Sequence, residues 1–381
     1  MNQRSLPLLP RGFVFFSALA LFVIALETFL ITPMKTANPA YDTCDCRRYI
    51  ALAQGGPEQY ASEAPFCWRI LIPAVVRMIP MVPERAFHLL TIASLIAAAI
   101  LFLLYCRARD LSTNEIAAAL CFFLFSRWIT GRLLFEYALV DAEALVFILL
   151  IFWLSEIQAP RAITYGSLVI GVLCKELVIV AGVYVALREW SRARPMSERI
   201  TMGILPIILP LAVLLTLHLT IKPGNNYSLF TELRHRMTST DPILLGYFHY
   251  TARQWGTFVY DATFGTWGAI ALLVIMLGRK FFRRLVSRIE SATVVCIIFI
   301  QPLVAWNLER LLIFAFPIIV VTCIEGLRDI SWRKGPRPSI LLWSWVALQS
   351  LMFLHFLLFA RGIVTPSLRN ILFGTITLRL F

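Results

Sequence analysis

Charged residues are scarce in this chain of 381 residues: Asp, Glu, Lys and Arg together make up 15% of it, whereas 59% of the residues are hydrophobic. Soluble globular domains carry about 25% charged residues, so this composition excludes an ordinary soluble protein. The apolar runs are long and continuous and do not alternate residue by residue. This excludes a transmembrane β-barrel and predicts an all-α, polytopic membrane protein.

Several sequence motifs of soluble enzymes are also missing. No Gly-rich phosphate-binding loop is present, which argues against a cytosolic nucleotide as donor, and no Gly-x-Ser-x-Gly hydrolase signature occurs. The five histidines are too scattered to form a zinc site with any of the eight cysteines. The net charge of +13 does not indicate nucleic acid as a partner, because the basic residues lie mostly in loops, where they set topology or attract anionic lipid and phosphate groups.

The apolar runs predict a helical bundle of about eleven transmembrane helices, forming one integral membrane domain over residues 1–381. A stretch at 163–188 has two apolar halves separated by Lys175-Glu176. Each half reaches roughly 18 Å as a helix, short of the roughly 30 Å hydrocarbon core, so we expect two short helices that meet at a polar turn. One straight helix with a buried ion pair is the alternative. The other runs lie near 12–33, 86–106, 113–131, 138–155, 199–220, 263–279, 289–306, 311–325 and 339–360.

The basic residues predict a cytoplasmic N-terminus and an outward-facing C-terminus. About half of the 35 Lys and Arg residues then fall in short inside segments, and the rest are diluted across two long outer loops, 35–85 and 221–262. The first run, 13–32, is longer than the apolar core of a signal peptide, and we expect it to remain as a span.

With this topology, polar residues collect at the outer ends of separate spans. The segment 41–49 alone holds two carboxylates, two arginines and two tyrosines. Charges at the edge of an apolar span are hypotheses of function by default. The charged set comprises Asp42, Asp45, Arg47, Arg48, Arg69, Asp141, Glu143, Lys175, Glu176 and Arg310.

Each of these charges also has a purely structural explanation. The explanations are lipid-headgroup contact for Arg47 and Arg48, helix N-terminal charge for Asp141 and Glu143, a structural ion pair for Lys175 and Glu176, and a snorkelling anchor for Arg310. As a group, however, the residues suit transfer from a phosphorylated lipid. A carboxylate takes a proton from an acceptor hydroxyl, while Lys and Arg neutralise the departing phosphate.

Three cysteines, Cys44, Cys46 and Cys67, share the first outer loop. In an oxidising periplasm we expect Cys67 either to pair with Cys44 or Cys46 or to remain a thiol. The other cysteines lie in or beside apolar runs and are expected to be packing residues.

Short motifs in this chain resemble the GT-C superfamily of integral membrane glycosyltransferases. Asp45-Cys46-Arg47-Arg48-Tyr49-Ile50-Ala51 is similar to the family's Asp-x-x-x-Tyr-Ala pattern, with Ile50 intruding before Ala51. The segment 65–73 looks like the Pro-Phe-x-x-Arg-x-Leu-x-Pro stretch of uncharacterised bacterial proteins of this type. Segment 171–176 is similar to the Leu-Thr-Lys-Gly turn of the lipid A aminoarabinose transferase group, with Glu176 in place of Gly. Segment 307–317 resembles a late Arg-then-Pro segment.

This resemblance implies a GT-C-like bundle with a helical first outer loop in a bacterial inner membrane. It implies an inverting glycosyltransferase that uses a polyprenyl-phosphate-linked sugar and a lipid, glycan or protein acceptor on the periplasmic face. Asp45 is the expected general base, with Asp42 as the competing assignment and Asp141 orienting or assisting it. The substrate-binding residues are expected to be Asp42, Tyr49, Arg69, Lys175, Glu176 and Arg310.

Some members of the superfamily use a divalent metal, and Asp42 with Asp45 would offer it two carboxylates, but we predict no metal site. Two other functions stay open at this point. One is a transporter or flippase for a lipid-linked or anionic substrate, with Lys175-Glu176 in a broken helix at the midplane. The other is a noncatalytic subunit of an envelope-polysaccharide complex.

Overall fold

The computed structural model describes residues 11–31, 33, 45–55, 66–192, 195–222, 259, 261–301, 308–330 and 338–360, and within these ranges the chain is helical, without a β-strand. The α-helices of the first half are α1 (Arg11–Leu30), α2 (Asp45–Gly55), α3 (Leu71–Met78), α4 (Pro83–Ala108), α5 (Thr113–Leu124), α6 (Arg132–Phe135), α7 (Asp141–Glu156), α8 (Arg161–Cys174) and α9 (Ile179–Trp190). The second half contains α10 (Met196–Thr220), α11 (Ala269–Leu277), α12 (Arg279–Val286), α13 (Ile289–Ile300), α14 (Leu308–Leu312), α15 (Phe316–Arg328) and α16 (Pro338–Ala360).

Five of the described helices are long and apolar enough to cross a membrane: Gly12–Leu30, Pro83–Ala108, Met196–Thr220, Arg310–Arg328 and Ser339–Leu358. Thr113–Leu124 and Arg127–Phe135 form a sixth candidate, bent by 45°. These helices give the chain the character of a membrane protein. The other predicted spans correspond to shorter helices, so the expected number of about eleven transmembrane helices is not confirmed.

The five long helices differ in how deeply they are buried. In Arg310–Arg328 94% of the apolar window is buried inside the protein, against 17% in Gly12–Leu30 and 22% in Met196–Thr220 and Ser339–Leu358. The Arg310 helix is therefore central, and the others expose a wide apolar surface to their surroundings, as helices in lipid do. Arg310, at the start of the central helix, is accordingly only 7% exposed.

The break expected at Lys175 is present. Helix α8 ends at Cys174, Lys175 is extended with φ −158° and ψ 131°, and a 3₁₀ turn, Glu176–Val178, leads into α9. Gly171 permits the chain to fold back here, because a Cβ atom at this position would come within 2.7 Å of the Val178 side chain. The sequence therefore holds Lys175 and Glu176 in a turn between two short helices.

Ion pairs at both ends show that three helices, α7, α9 and α15, run in the same direction. Their polar residues occur near both ends: Asp141 and Glu156 bound α7, and Arg310 and Glu325 are fifteen positions apart. At 1.5 Å per residue this separation is about 22 Å. We refer to the two ends as the Asp45 end and the Glu325 end.

Of the two alternatives for Cys67, a disulfide or a free thiol, the structure has the free thiol. Cys46 is disulfide-bonded, but Cys67 is a free thiol. Cys67 lies in a 3₁₀ turn, Phe66–Trp68, with its side chain fully buried, so it is enclosed by protein. Asp42, Cys44 and most of the predicted loop 221–262 lie outside the described residues.

Candidate functional site

The core of the site is Asp141, which is the first residue of α7 and is completely buried. Lys175 donates a hydrogen bond to one carboxylate oxygen and the Nε of Arg310 donates to the other. A buried carboxylate without partners is costly, so the two cations compensate it. Asp141 thereby joins the start of α7, the α8–α9 turn and the start of the central helix.

A second carboxylate, Asp45, is bound by the same arginine. The Nη1 of Arg310 donates to Asp45 Oδ2 at 2.6 Å, and Arg48, three residues further along α2, donates to Oδ1 at 3.1 Å. Asp45 opens α2, where the helix dipole also favours a negative charge. Its side chain keeps 20% of its surface exposed, so it is accessible where Asp141 is not.

Arg69 forms the other half of the site. Its Nε donates to Glu176 Oε2 at 2.8 Å and its Nη2 donates to Oε1, a two-point pair that fixes the plane of the guanidinium group. Its Nη1 donates to the hydroxyl of Tyr49 at 2.5 Å. All three nitrogens of Arg69 are therefore directed by protein groups.

Tyr49 and Glu176 hold opposite protonation states around Arg69. Burial raises the pKa of Tyr49 above its usual value, so the phenol stays neutral despite the nearby arginines. Desolvation also raises the pKa of Glu176, but the charge of Arg69 and its hydrogen bonds outweigh this and bring it to about 2. Glu176 is thus an anion, and its side chain is 45% exposed.

Aromatic rings support the cationic side chains. The Phe66 ring lies 4.6 Å from the Arg48 guanidinium carbon and 5.4 Å from that of Arg69, within the range of a cation–π interaction. Tyr49 meets the same ring edge-on at 5.6 Å. Trp68 lies against His218 with centroids 3.7 Å apart and donates to the carbonyl of Ile221 at 3.1 Å, which ties the site to the end of α10.

We call this group the Asp45 cluster. It contains four cations against three carboxylates, and its members differ in accessibility. Lys175 and Asp141 are buried at its base, whereas Asp45, Glu176 and Arg48 are partly exposed, Arg48 to 46%. The full membership is Asp45, Arg48, Arg69, Asp141, Lys175, Glu176 and Arg310, with Tyr49 and Phe66 in support.

The residues singled out in the sequence thus come together from four distant segments of the chain. Tyr49 and Lys175 are almost completely buried. Tyr49 accepts a hydrogen bond from Arg69, and Lys175 donates one to Asp141. Arg48 belonged to the charged set but was assigned no catalytic or binding role, and Phe66 was not singled out. The spacing of Arg48 three residues after Asp45 on a helix is the signal that would have indicated their pairing.

Glu143, which the sequence grouped with Asp141, lies deeper. It is buried and accepts a hydrogen bond from Ser94 at 3.2 Å, so it joins α7 to α4. In the part of the chain that the structure describes, no group of three or more His, Cys, Asp or Glu side chains is placed to hold a metal. The two guanidinium groups on Asp45 also disfavour a divalent cation there.

A second charged network, the Glu325 cluster, occupies the opposite end. Arg109 donates to Tyr105 at 2.7 Å and to Glu325 at 3.1 Å, and Arg288 donates to the same Glu325 oxygen at 3.2 Å. Glu156 binds Arg188 at 2.7 Å and accepts from Tyr184. The charged members are Arg109, Arg188, Arg288, Glu156, Glu290 and Glu325.

No protein-family model, curated protein or solved structure matches this chain. The resemblance to GT-C glycosyltransferases therefore depends on the short motifs alone. The geometry of the Asp45 cluster is the remaining basis for a function.

Proposed function

We propose that the Asp45 cluster is the active site of an inverting glycosyltransferase that moves a sugar from a polyprenyl-phosphate donor to an acceptor at a membrane face. The observation that carries the proposal is the position of Asp45. This partly exposed carboxylate is bound to Arg310, whose other nitrogen is anchored on the buried pair of Asp141 and Lys175.

The charge balance of the cluster favours a phosphorylated ligand. Cations outnumber carboxylates, and three of them are arginines, whose planar fork matches phosphate oxygens. Arg48 is 46% exposed, shares Asp45 with Arg310 and shares the Phe66 ring with Arg69. A phosphate that approaches the cluster meets these groups before it meets Lys175.

The position of the cluster favours a lipid-linked donor. Asp141, Lys175 and Arg310 lie at the ends of apolar helices, the level at which a polyprenyl chain would pass into the hydrocarbon region while its phosphate stays in the polar layer. The same position argues against a transporter, because a transported substrate is typically held near the middle of the spans. The middle of α7, from Ala144 to Leu154, is apolar.

The proposed reaction is a single displacement. An acceptor hydroxyl attacks the anomeric carbon of the sugar while Asp45 takes the hydroxyl proton. The bond between the anomeric carbon and the phosphate oxygen breaks, and polyprenyl phosphate leaves with the bonding electrons. The arginines neutralise the negative charge that grows on the departing phosphate, and attack from the opposite side inverts the anomeric centre.

In this proposal Asp141, Lys175 and Tyr49 are positioning residues. Asp141 and Lys175 hold Arg310, while Tyr49 and Glu176 hold Arg69. When the donor phosphate binds Arg310, it competes with Asp45 for the guanidinium group and leaves a carboxylate oxygen available to the acceptor hydroxyl. Donor binding therefore frees Asp45 from Arg310, so that it can act as the base.

The finer features of the fold belong to the same proposal. They are a GT-C-like bundle of about eleven transmembrane helices, a cytoplasmic N-terminus, and an active site on the periplasmic side of a bacterial inner membrane. The acceptor class, whether lipid, glycan or protein, follows from none of these features.

The test is to incubate the purified protein with a panel of polyprenyl-phosphate sugars and to measure release of polyprenyl phosphate. We expect release with at least one donor, its loss in Asp45→Asn, and normal release in Asp329→Asn. Asp329 is the matched control because it is also a carboxylate paired with an arginine, at the Glu325 end.

Two results would contradict the enzyme proposal. If the Asp45→Asn variant folded and kept full function, Asp45 could not be the general base. Movement of an intact donor between leaflets of a vesicle, without sugar release, would identify a transporter. Weaker donor binding in Lys175→Ala and Arg310→Ala is expected in both cases and does not distinguish them.

A further inference from the structure

The short helix α12, Arg279–Val286, has an unusual distribution of side chains. Phe281 and Leu285 point into the protein and are only 4% and 6% exposed, whereas Phe282 and Val286 are 58% and 63% exposed. Arg279, Lys280 and Arg283 are exposed as well. Large apolar and basic side chains therefore share the outer surface of one helix.

The two kinds of exposed side chain separate around the helix axis. At 100° per residue, Phe282 and Val286 form one flank, four positions apart, and Arg279 and Arg283 form the adjoining row. The far flank carries Arg284, which binds both oxygens of Asp329 at 2.7 and 2.6 Å. Around its exposed surface, α12 therefore has an apolar row, then a row of basic side chains, then an arginine that is paired with an aspartate.

The neighbours of α12 fix its level in the bundle. Asp329 immediately follows the apolar helix Arg310–Arg328, and Lys280 donates to the Asp329 carbonyl at 3.2 Å. Helix α12 thus lies where the central apolar helix ends. Gly278, with φ +46°, makes the sharp turn from the apolar helix α11 into α12, a conformation that residues with a Cβ atom rarely adopt.

These features describe a helix at a membrane surface, and we propose that α12 binds anionic phospholipid headgroups. Arg279, Lys280 and Arg283 contact the headgroup phosphates, while Phe282 and Val286 insert among the first carbons of the acyl chains. Three features favour a lipid surface as the binding partner. They are the charge complementarity, the adjacent exposed apolar row and the position of the helix at the end of the central apolar helix. This inference does not depend on the proposed glycosyl transfer.

Lipid retention measured by native mass spectrometry tests this binding. The full chain is purified in mixed micelles of phosphatidylglycerol and phosphatidylcholine, and retained lipids are counted for the wild type and for Arg279→Gln/Arg283→Gln. Removing two basic residues at a membrane surface is expected to weaken phosphatidylglycerol retention about tenfold or more, with phosphatidylcholine retention unchanged. The double variant Arg77→Gln/Arg85→Gln, which removes two exposed arginines elsewhere, is expected to retain phosphatidylglycerol normally.

Further variants separate charge, insertion and folding. Arg279→Lys/Arg283→Lys keeps the charge and is expected to keep phosphatidylglycerol, which guards against a folding defect in the Gln variant. Phe282→Ser is expected to weaken retention of both lipids equally. The proposal is overturned if the Gln variant retains phosphatidylglycerol like the wild type, if the control variant loses as much, or if inorganic phosphate displaces the lipid. Normal phosphatidylglycerol retention in the Gln variant would favour an acidic protein as the partner of this surface. Displacement of the lipid by inorganic phosphate would indicate a site for small anions.

Discussion

The two ends of α7, α9 and α15 carry networks built from the same kinds of residue, yet the networks differ in composition and exposure. At the Glu325 end three arginines face three glutamates, and the glutamates keep only 4–10% of their side-chain surface exposed, although Arg188 and Arg288 keep 21% and 33%. At the Asp45 end cations are in excess, and Asp45, Arg48 and Glu176 keep between 20% and 46% of theirs. One network is balanced and buries its carboxylates, and the other has excess positive charge and leaves two of its three carboxylates accessible.

This difference teaches how to separate structural from functional charges at the edge of an apolar bundle. Burial and ion pairing alone do not separate them, because Asp141 is as buried as Glu325 and as well paired. The distinguishing features are the excess of one charge sign and a carboxylate that is held by cations yet still accessible. These criteria are the basis for proposing a ligand site at the Asp45 cluster and a structural role for the Glu325 cluster.

The largest effect is expected on stability, and at both ends. Asp141→Ala leaves Lys175 and Arg310 as uncompensated buried cations, so the free energy of unfolding should fall by about 3–5 kcal/mol. Glu325→Ala should also be destabilising, but less so, because the buried Arg109 loses its nearest carboxylate and keeps Glu156 at 4.0 Å. Unfolding of both variants in detergent checks this. An unchanged melting temperature in Asp141→Ala would mean that the pairing does not support the fold.

A sharper contrast is expected from arginine-to-lysine changes. Arg310 uses two different nitrogens to reach Asp141 and Asp45, and a single ammonium group cannot reproduce that fork. Arg310→Lys should therefore cost about 1.5–3 kcal/mol of stability, the value of a charged hydrogen bond, and should raise the KM for the donor. Arg288→Lys loses one hydrogen bond to Glu325. It should change the stability by no more than about 1 kcal/mol and should leave the KM for the donor unchanged. If the two substitutions changed stability and KM equally, the proposed functional difference between the Asp45 end and the Glu325 end would be contradicted.

Much of the helix plan could be predicted from the sequence, because continuous apolar runs and the interruption at Lys175-Glu176 report directly on helix length. The family resemblance implied a helical first outer loop, and α2 and α3 lie within its bounds of 35–85. Helix α12 was not foreseen, because Arg279–Val286 is a short and strongly charged segment between two apolar runs.

The site was only partly predictable. The sequence places Asp45, Asp141, Lys175 and Arg310 at helix ends, but their meeting depends on tertiary packing among segments up to 265 residues apart. Their partition into accessible and buried members could not be read from spacing. Tyr49 illustrates this: the resemblance implied a substrate contact, and only the structure shows that its side chain is buried and accepts a hydrogen bond from Arg69.

A smaller effect concerns pH. The pKa of Glu176 lies at about 2 when folded, below its ordinary value of 4.5. A depressed folded pKa gives a stabilising contribution that is complete above pH 4.5 and is lost as the pH falls toward 2. Stability attributable to the Arg69–Glu176 pair should therefore be constant from about pH 6 to 8 and decline below pH 4.5. Unfolding curves of Glu176→Gln and wild type should converge at low pH; a constant difference there would contradict the assignment.

The smallest stability effect is expected at Arg48. Its pair with Asp45 is largely exposed, and exposed pairs contribute about 0–1 kcal/mol. Arg48→Gln should leave the melting temperature nearly unchanged while raising the KM for the donor several-fold, because an accessible cation is removed from the cluster. Arg77→Gln, a change at another exposed arginine, should alter neither quantity. An unchanged KM in Arg48→Gln would exclude it from donor binding.

The most direct test compares Asp45→Asn with Glu325→Gln in single-turnover sugar transfer, with donor binding measured separately and rates normalised to folded protein. Loss of a general base should slow Asp45→Asn by about 10²–10⁴-fold, with the donor still bound. Glu325→Gln should transfer sugar at the wild-type rate, however much stability it loses. Wild-type turnover in Asp45→Asn, or equal slowing in both variants, would contradict the assignment of the Asp45 end as the catalytic one.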